Sequence, residues 1–557
     1  MKVYNNRIFS TNQQYLASYS KQLGDHNLSV LAGYEQYNYK TQYLSGTNDH
    51  LYNPFVGELS NASGISQKSL SSYTDTKMNE GFLGRVQYDW QEKYFASASF
   101  RRDASSVFAP GHRWGNFGSA GLAWQMSKED FMKDVKWVDV LKLKLSYGQQ
   151  GNDNLSGRTG FYYRHAYADM YTASYDETTG SYSVTMVQKG NENLTWETSK
   201  SWNVGVDFEL FKHRLTGAIE YYNRATSDML YFKDLPLSSG SLVSDYPVNV
   251  GSMRNQGVEI TLDGKIISTK NVEWGLNVNL THNKNKIIEL DPSIAKDGLT
   301  YATSIIREGG TIYQAYLYKY AGVDKADGKA MWYKDEHHYF DLNGKEITKE
   351  QADKLGEDKY TTTTNIVTTK SIDEATKYDC GTTLPKLFGG FGTTLNAYGI
   401  DLSAQFSFQL GGKMYDGTYQ SLMHNGNNPG FAMHKDLLDA WSPENQDSNI
   451  PRLSSASSDD PGVASQSPQD RFLTSSNYLC LNNLTLGYTL PKSILRKAQL
   501  SNLRVYVSGE NLFLLTKRQG MDPRFNYGIG GMTSGAGLQS GGYSGTRSVV
   551  AGLSLSF

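Results

Sequence analysis

Apolar and polar residues alternate along most of this chain. Trp202, Val204, Val206, Phe208 and Leu210 are separated by Asn203, Gly205, Asp207 and Glu209. Trp274, Leu276, Val278 and Leu280 repeat the pattern, as do Leu402, Ala404, Phe406, Phe408 and Leu410. Leu141, Leu143 and Leu145 alternate with Lys142 and Lys144. Successive side chains of a strand point to opposite faces, so each stretch predicts a strand with one apolar and one polar face. Nine residues at a rise of about 3.3 Å, tilted by about 40°, cover roughly 23 Å, close to the apolar band of a membrane barrel. Strands of soluble sandwiches are usually only about five or six residues long. The pattern therefore predicts an all-β, antiparallel transmembrane β-barrel with about 14 to 16 strands.

The last strand, RSVVAGLSLSF, sets Leu553, Leu555 and Phe557 against Ser554 and Ser556. The spacing of Gly552, Leu555 and Phe557 resembles the C-terminal signal by which Gram-negative barrels are inserted into the outer membrane. It departs from that signal at Val550, where a polar residue is usual.

Connections fall into two kinds. Tight ones are expected at Trp90–Lys93, Lys212–Arg214 and Tyr398–Asp401, with Gly399 in the turn. Long polar ones are expected at 46–70, 151–195, 233–250, 288–310, 324–384, 412–475 and 519–545. Alternation of the two is the pattern of periplasmic turns and long extracellular loops. Thr348-x-x-Gln351, followed by Gly356, predicts a capped helical turn. Ser127-x-x-Asp130 before Phe131 predicts a similar start on the short-turn side.

Composition fits this reading. The 557 residues include 39 Tyr and 54 Gly but only 13 Pro. Tyr suits a membrane interface, where one end of the ring is buried and the other wet. The mean hydropathy of −0.53 excludes a helical membrane protein. It does not count against a barrel, whose strands turn only alternate residues to lipid. A net charge of −2 argues against a nucleic-acid partner. Cys380 and Cys480 have no metal-ligand spacing, and either a disulfide or two free thiols is open. The opening KVYNNRIFSTNQ lacks an apolar stretch, so no signal peptide is expected here, and the chain reads as the C-terminal part of something longer.

No sequence signature of catalysis or cofactor binding emerges: there is no P-loop, dinucleotide fingerprint, zinc-protease motif or nucleophile elbow. No enzyme, cofactor or metal is expected. Gly528–Gly545 reads as a flexible loop, since it lacks the Lys and following helix of a phosphate cradle. Asp341-x-Asn343-Gly344 hints at a calcium loop whose other ligands are missing. His337 and His338, beside Asp335 and Glu336, are a metal candidate set against a solvated loop cluster. Tyr34, Tyr37 and Tyr39, then Phe161, Tyr162 and Tyr163, then Tyr221 and Tyr222, read as an interfacial girdle or as stacking platforms for sugars.

Eight segments carry a family resemblance: GRVQYDWQEKYFASASFRRDASSVF (84–108), RWGNFGSAGLAW (113–124), LTWETSKSWNVGVDFELF (194–211), NVGSMRNQGVEI (249–260), LYKYAGVD (317–324), DLLDAWSPENQ (436–446), YLCLNNLTLGYTLP (478–491) and LRVYVSGENLFLLTKRQGMDP (503–523). In this order they resemble the barrel of SusC/RagA-type TonB-dependent transporters across nearly the whole chain. Gly84, Gly205, Gly257 and Gly487 fall within strands; Arg101, Arg102 and Asp103 are candidates for charge pairs at a strand end; Asn511 is expected to end the regular run of the penultimate strand. The resemblance implies an outer-membrane importer of oligosaccharides or peptides, working with a SusD-like lid lipoprotein and energised by TonB. Family barrels have about 22 strands. The plug, the TonB contact and the first strands are expected to precede residue 1, leaving this chain unable to transport alone. A siderophore or metal-chelate receptor barrel is the alternative, as is a non-functional remnant or an adhesin-like β-protein.

Overall fold

Fifteen strands follow one another in a single sheet, each beside its neighbour in sequence. They are β1 (Lys2–Leu23), β2 (His26–Thr47), β3 (Ser69–Trp90), β4 (Tyr94–Ser105), β5 (Trp114–Gln125), β6 (Val138–Asn152), β7 (Glu197–Leu210), β8 (Leu215–Asp234), β9 (Asp245–Ser268), β10 (Val272–Glu289), β11 (Leu387–Ala397), β12 (Ile400–Leu410), β13 (Tyr478–Thr489), β14 (Asn502–Thr516) and β15 (Ser548–Ser556). The computed structural model describes residues 2–48, 51–61, 69–155, 165–176, 178–235, 243–300, 303–424, 426, 430–454, 467–495, 500–517, 522–526, 538–539 and 545–557. The chain divides into two compact units, one of residues 1–263 with 288–291, the other of 264–287 with 292–557.

In the first unit the register sorts the alternating residues as the pattern demands. Leu122 faces Leu145, Leu145 faces Val204, and Val204 faces Tyr221, forming an apolar row across four strands. These side chains stay exposed, Leu122 at 60% and Leu145 at 50%. On the opposite face Lys144 pairs with Asp207 at 2.6 Å. A sheet that exposes its apolar row and pairs its charges on the other side is built for an apolar solvent.

Turn chemistry explains the hairpins. Gly24 (φ 58°) closes β1 to β2. Gln91 and Glu92 (φ 53° and 50°) close β3 to β4 in the twisted turn that hairpins favour. Between β7 and β8, Phe211, Lys212 and His213 all adopt positive φ (60°, 61° and 57°), which side chains resist. Neighbours hold this turn: the His213 N–H donates to Asp139 Oδ2 at 2.9 Å, and the Phe211 ring stacks on Trp137 at 5.8 Å. The opening KVYNNRIFSTNQ is part of β1, which is paired with β2 over Lys2–Leu23.

In the second unit the sheet is interrupted by an excursion over 292–386. The sequence predicts long loops at 288–310 and 324–384, but the excursion carries its own small sheets, including a long hairpin of Ala330–Asp341 against Tyr360–Thr369. The expected capped helix is here, α1 (Lys349–Leu355): Thr348 Oγ1 accepts the Gln351 N–H, Gln351 Oε1 accepts the Thr348 N–H, and Gly356 (φ 92°) ends it. Trp332, 1% exposed, anchors the excursion through Nε1 donating to Gln469.

Two phenols of the excursion respond to pH. Burial pushes Tyr320 up to about 12, slightly opposed by Arg471. Burial, then the bond to Asp335, pushes Tyr378 up to about 12. Unfolded tyrosine ionises near ~10, so the folded excursion keeps protons that the unfolded one has lost. Its stability is therefore expected to be complete below pH ~10 and to fall as pH rises toward 12. Ultraviolet phenolate titration beside an alkaline unfolding curve checks this; titration of all tyrosines near 10 would contradict it.

Candidate functional site

A polar trough of about 480 Å³ lies on the charged face of the first unit, where β2, β3, β4 and β6 approach the long connections. Arg101 organises one wall. Its guanidinium donates to Asp103 at 2.9 and 3.2 Å and to Glu35 at 3.3 Å, while Gln14 donates to the other Glu35 oxygen at 2.7 Å. Asp153 organises the other, accepting from Lys77 (2.9 Å), Asn79 (2.9 Å) and Ser105 (2.6 Å). Gln149 and Gln150 line the space between. The floor is aromatic: Phe117 meets Trp196 edge-on at 5.5 Å, and Trp196 Nε1 donates to the Arg113 carbonyl at 2.8 Å.

Glycines make this packing possible. Gly81 faces Asp103 directly across the sheet, and a Cβ there would collide with the Asp103 carboxylate. A Cβ on Gly151 would enter the Phe117 ring. Planar amides, carboxylates held in fixed orientations and an aromatic floor are groups that hold hydroxyl-rich or amide-rich solutes.

The trough makes contrasting predictions. Arg101→Ala is expected to change unfolding stability by less than about 1 kcal/mol, because Arg101 is 43% exposed and screened. Lys77→Ala should cost about 1–3 kcal/mol, since it weakens the satisfaction of Asp153, 14% exposed. Urea unfolding in detergent distinguishes the two.

The expected girdle is only partly where the tyrosine clusters put it. Adjacent residues of a strand face opposite sides, so the clusters split. Tyr34 lies on the apolar face against Phe82 at 5.1 Å, whereas Tyr37 lines the trough. Tyr221 packs on Trp202 at 5.2 Å, and Tyr222 is on the other face. Phe161, Tyr162 and Tyr163 lie outside the described residues. A continuous belt instead runs beside the tight turns: His26–Trp90 (6.4 Å), Trp90–Tyr94 (5.6 Å), Tyr94–Trp124 (6.5 Å) and Trp124–Phe131 (6.3 Å). Glu129 accepts from Tyr94 Oη at 2.6 Å and Trp124 Nε1 at 3.0 Å, the wet ends of both rings. The signal was present in aromatics flanking each short turn. Ser127 is not the expected cap, because the segment forms two 3-10 turns and Glu129 precedes the second without a side-chain capping bond.

Other candidates resolve individually. His337 and His338 lie in a strand and diverge, His337 to Thr364 (2.9 Å) and His338 to Glu346 (2.7 Å). Asp341 Oδ1 accepts the N–H groups of Asn343 and Lys345, both at 2.9 Å, which makes a turn rather than a calcium cradle. Cys380 and Cys480 are free thiols. Arg101 pairs as expected, but Arg102 lies over the Trp114 ring at 5.1 Å on the other face. Asn511 (φ 50°) ends the regular run of β14 as expected: pairing with β15 stops at Glu510 and the register against β13 shifts between Glu510 and Phe513, although the strand itself continues to Thr516. Gly552 lies under the Tyr506 ring, while Leu555 and Phe557 are exposed on the opposite side. The structure does not gather those three on one face.

Comparison with known proteins agrees with this architecture. The family described as TonB dependent receptor-like, beta-barrel matches residues 2–512. TonB-dependent receptor P3 of Formosa agariphila is 29% identical over all of this chain and 53% of its own length. TonB-dependent receptor SusC of Bacteroides thetaiotaomicron is 26% identical over 92% of this chain and 47% of its own length. The structure of the RagAB peptide transporter superposes with a TM-score of 0.80 at 27% identity, covering 100% of this chain and 56% of that one. The chain thus spans about half the length of the relatives it matches. It belongs to the TonB-dependent receptor β-barrel family, and within it to the SusC/RagA type.

Proposed function

We propose that this chain forms pore wall in an outer-membrane importer of oligosaccharides or peptides, partnered by a SusD-like lid lipoprotein and energised through TonB. The observation that carries the reading is the trough: paired carboxylates, amides and an aromatic floor on the charged face of a sheet whose other face exposes an apolar row. A wall of that kind passes polar oligomers while its back meets lipid. Because the relatives are about twice as long, we assign the chain a share of the wall rather than the whole transport cycle. We also assign Gly552, Leu555 and Phe557 to outer-membrane insertion.

Isolation of the tagged chain from outer membranes tests the reading. The expected result is co-isolation of a lipoprotein together with an oligosaccharide or peptide identified by mass spectrometry. Recovery from a soluble fraction, or from membranes with neither companion, would refute it.

A further inference from the structure

A second cavity, of about 820 Å³, lies within the second unit, between the excursion and the segments around Lys413 and Asp470. Its acids are already engaged. Asp379 is salt-bridged to Arg307, and Asp335 accepts the Tyr378 hydroxyl. Asp470 accepts the Tyr320 backbone N–H at 2.9 Å, and burial holds its carboxyl above the usual range.

Two of its cations are less fully met. Lys413 Nζ gives one hydrogen bond, to the Cys380 carbonyl at 2.6 Å. Lys319 Nζ lies over the Tyr333 ring at 5.5 Å. Among the described residues neither has a carboxylate within ion-pair distance, although both act electrostatically on Asp470. An ammonium has three donors, so most of theirs remain open to whatever enters. Both lysines reach solvent, and an anion that brings several acceptor oxygens at once makes charge-assisted hydrogen bonds that single waters, a ring face or one carbonyl do not match. The Tyr316 and Tyr378 side chains on the wall add flat surface beside the charges.

We propose that this cavity binds a carboxylate-bearing ligand, with Lys319 and Lys413 holding the carboxylate. That the ligand is a nutrient rests on the import reading; the anion preference does not. An acidic sugar and an acidic peptide share this chemistry.

Calorimetry on the purified full chain in detergent tests the proposal with three probes: trigalacturonate, triglutamate and the neutral maltotriose. At least one acidic probe is expected to bind, and whichever binds more tightly identifies the source of the carboxylate. Lys319→Gln and Lys413→Gln should each weaken that binding at least roughly tenfold. Lys413→Arg should largely retain it, and unchanged heat-dependent gel migration verifies folding of each variant. Raising ionic strength from ~0.05 M to ~0.5 M should weaken the acidic probe and leave maltotriose unmoved. The proposal is overturned if neither acidic probe binds, if maltotriose binds as tightly, or if both glutamine variants bind like the parent. Those results leave lipoprotein co-isolation untouched, so failure here is distinct from failure of the import reading.

Discussion

Arg524→Ala should destabilise the second unit by about 3–5 kcal/mol, because it strands a buried carboxylate. Asp522 has a side chain only 1% exposed and pairs with Arg524 at 2.6 Å. Arg524 also donates to Asn511 Oδ1 at 2.7 Å and to the Cys480 sulfur at 3.1 Å, tying the clasp to β13 and β14. The same Asp522 accepts the Gly545 N–H at 3.4 Å, and Asn511 donates to the Thr546 carbonyl at 3.2 Å. The clasp therefore gathers both ends of the last long connection. Asp522→Ala with Arg524→Ala should cost less than Arg524→Ala alone, since no buried charge is left unpaired. Burial alone would raise the Asp522 carboxyl, but the Arg524 and backbone bonds outweigh it and hold it below the usual range. The pair's contribution is thus present above pH ~3.9 and lost as pH falls through the lower folded value. Urea unfolding of the parent and both variants at neutral pH and at about pH 2, below the unfolded carboxylate value, measures these differences. Equal stability of parent and Arg524→Ala would contradict the assignment.

Gly552→Leu should sharply reduce the amount of assembled protein. Asp401, Gly487, Tyr506 and Gly552 face one another in succession across β12 to β15, so large and absent side chains alternate along one row. Arg504 grips Asp401 at 2.9 and 2.5 Å over Gly487 and stacks on Tyr506 at 4.7 Å. The Tyr506 ring in turn fills the place of a Gly552 side chain. A leucine there displaces the ring, an overpacking cost of about 1–3 kcal/mol on a strand that also ends the sheet. If Gly552 acts through packing, Tyr506→Ala restores assembly of Gly552→Leu. If it is read by the insertion machinery, the double variant stays low. Phe557→Ser should lower assembly in either case, because its ring is 92% exposed and contributes no core packing. Heat-modifiable migration in membrane extracts reports all four proteins.

The parts of the fold legible in the sequence are those fixed by neighbours in the chain. Alternation in Trp202–Leu210 or Leu402–Leu410 is local, as are the Tyr398–Gly399 turn and the Thr348 capping box, and each appears in the structure. The trough was not legible. Glu35, Arg101 and Asp153 come from distant stretches, and only strand register brings them to one trough. Clustered tyrosines misled for the converse reason: proximity in sequence places adjacent side chains on opposite faces.

The excursion over 292–386 has a consequence for how such proteins diversify. It departs and returns at β10 and β11, which pair directly from Val272 with Ala397 to Thr281 with Phe388. A connection between adjoining strands lengthens at little entropic cost, rising only with the logarithm of its length. Gene rearrangement can then exchange the whole excursion, and with it one wall of the cavity, while the hairpin beneath keeps its register. Such cassettes can therefore vary from one barrel to the next on an unchanged frame.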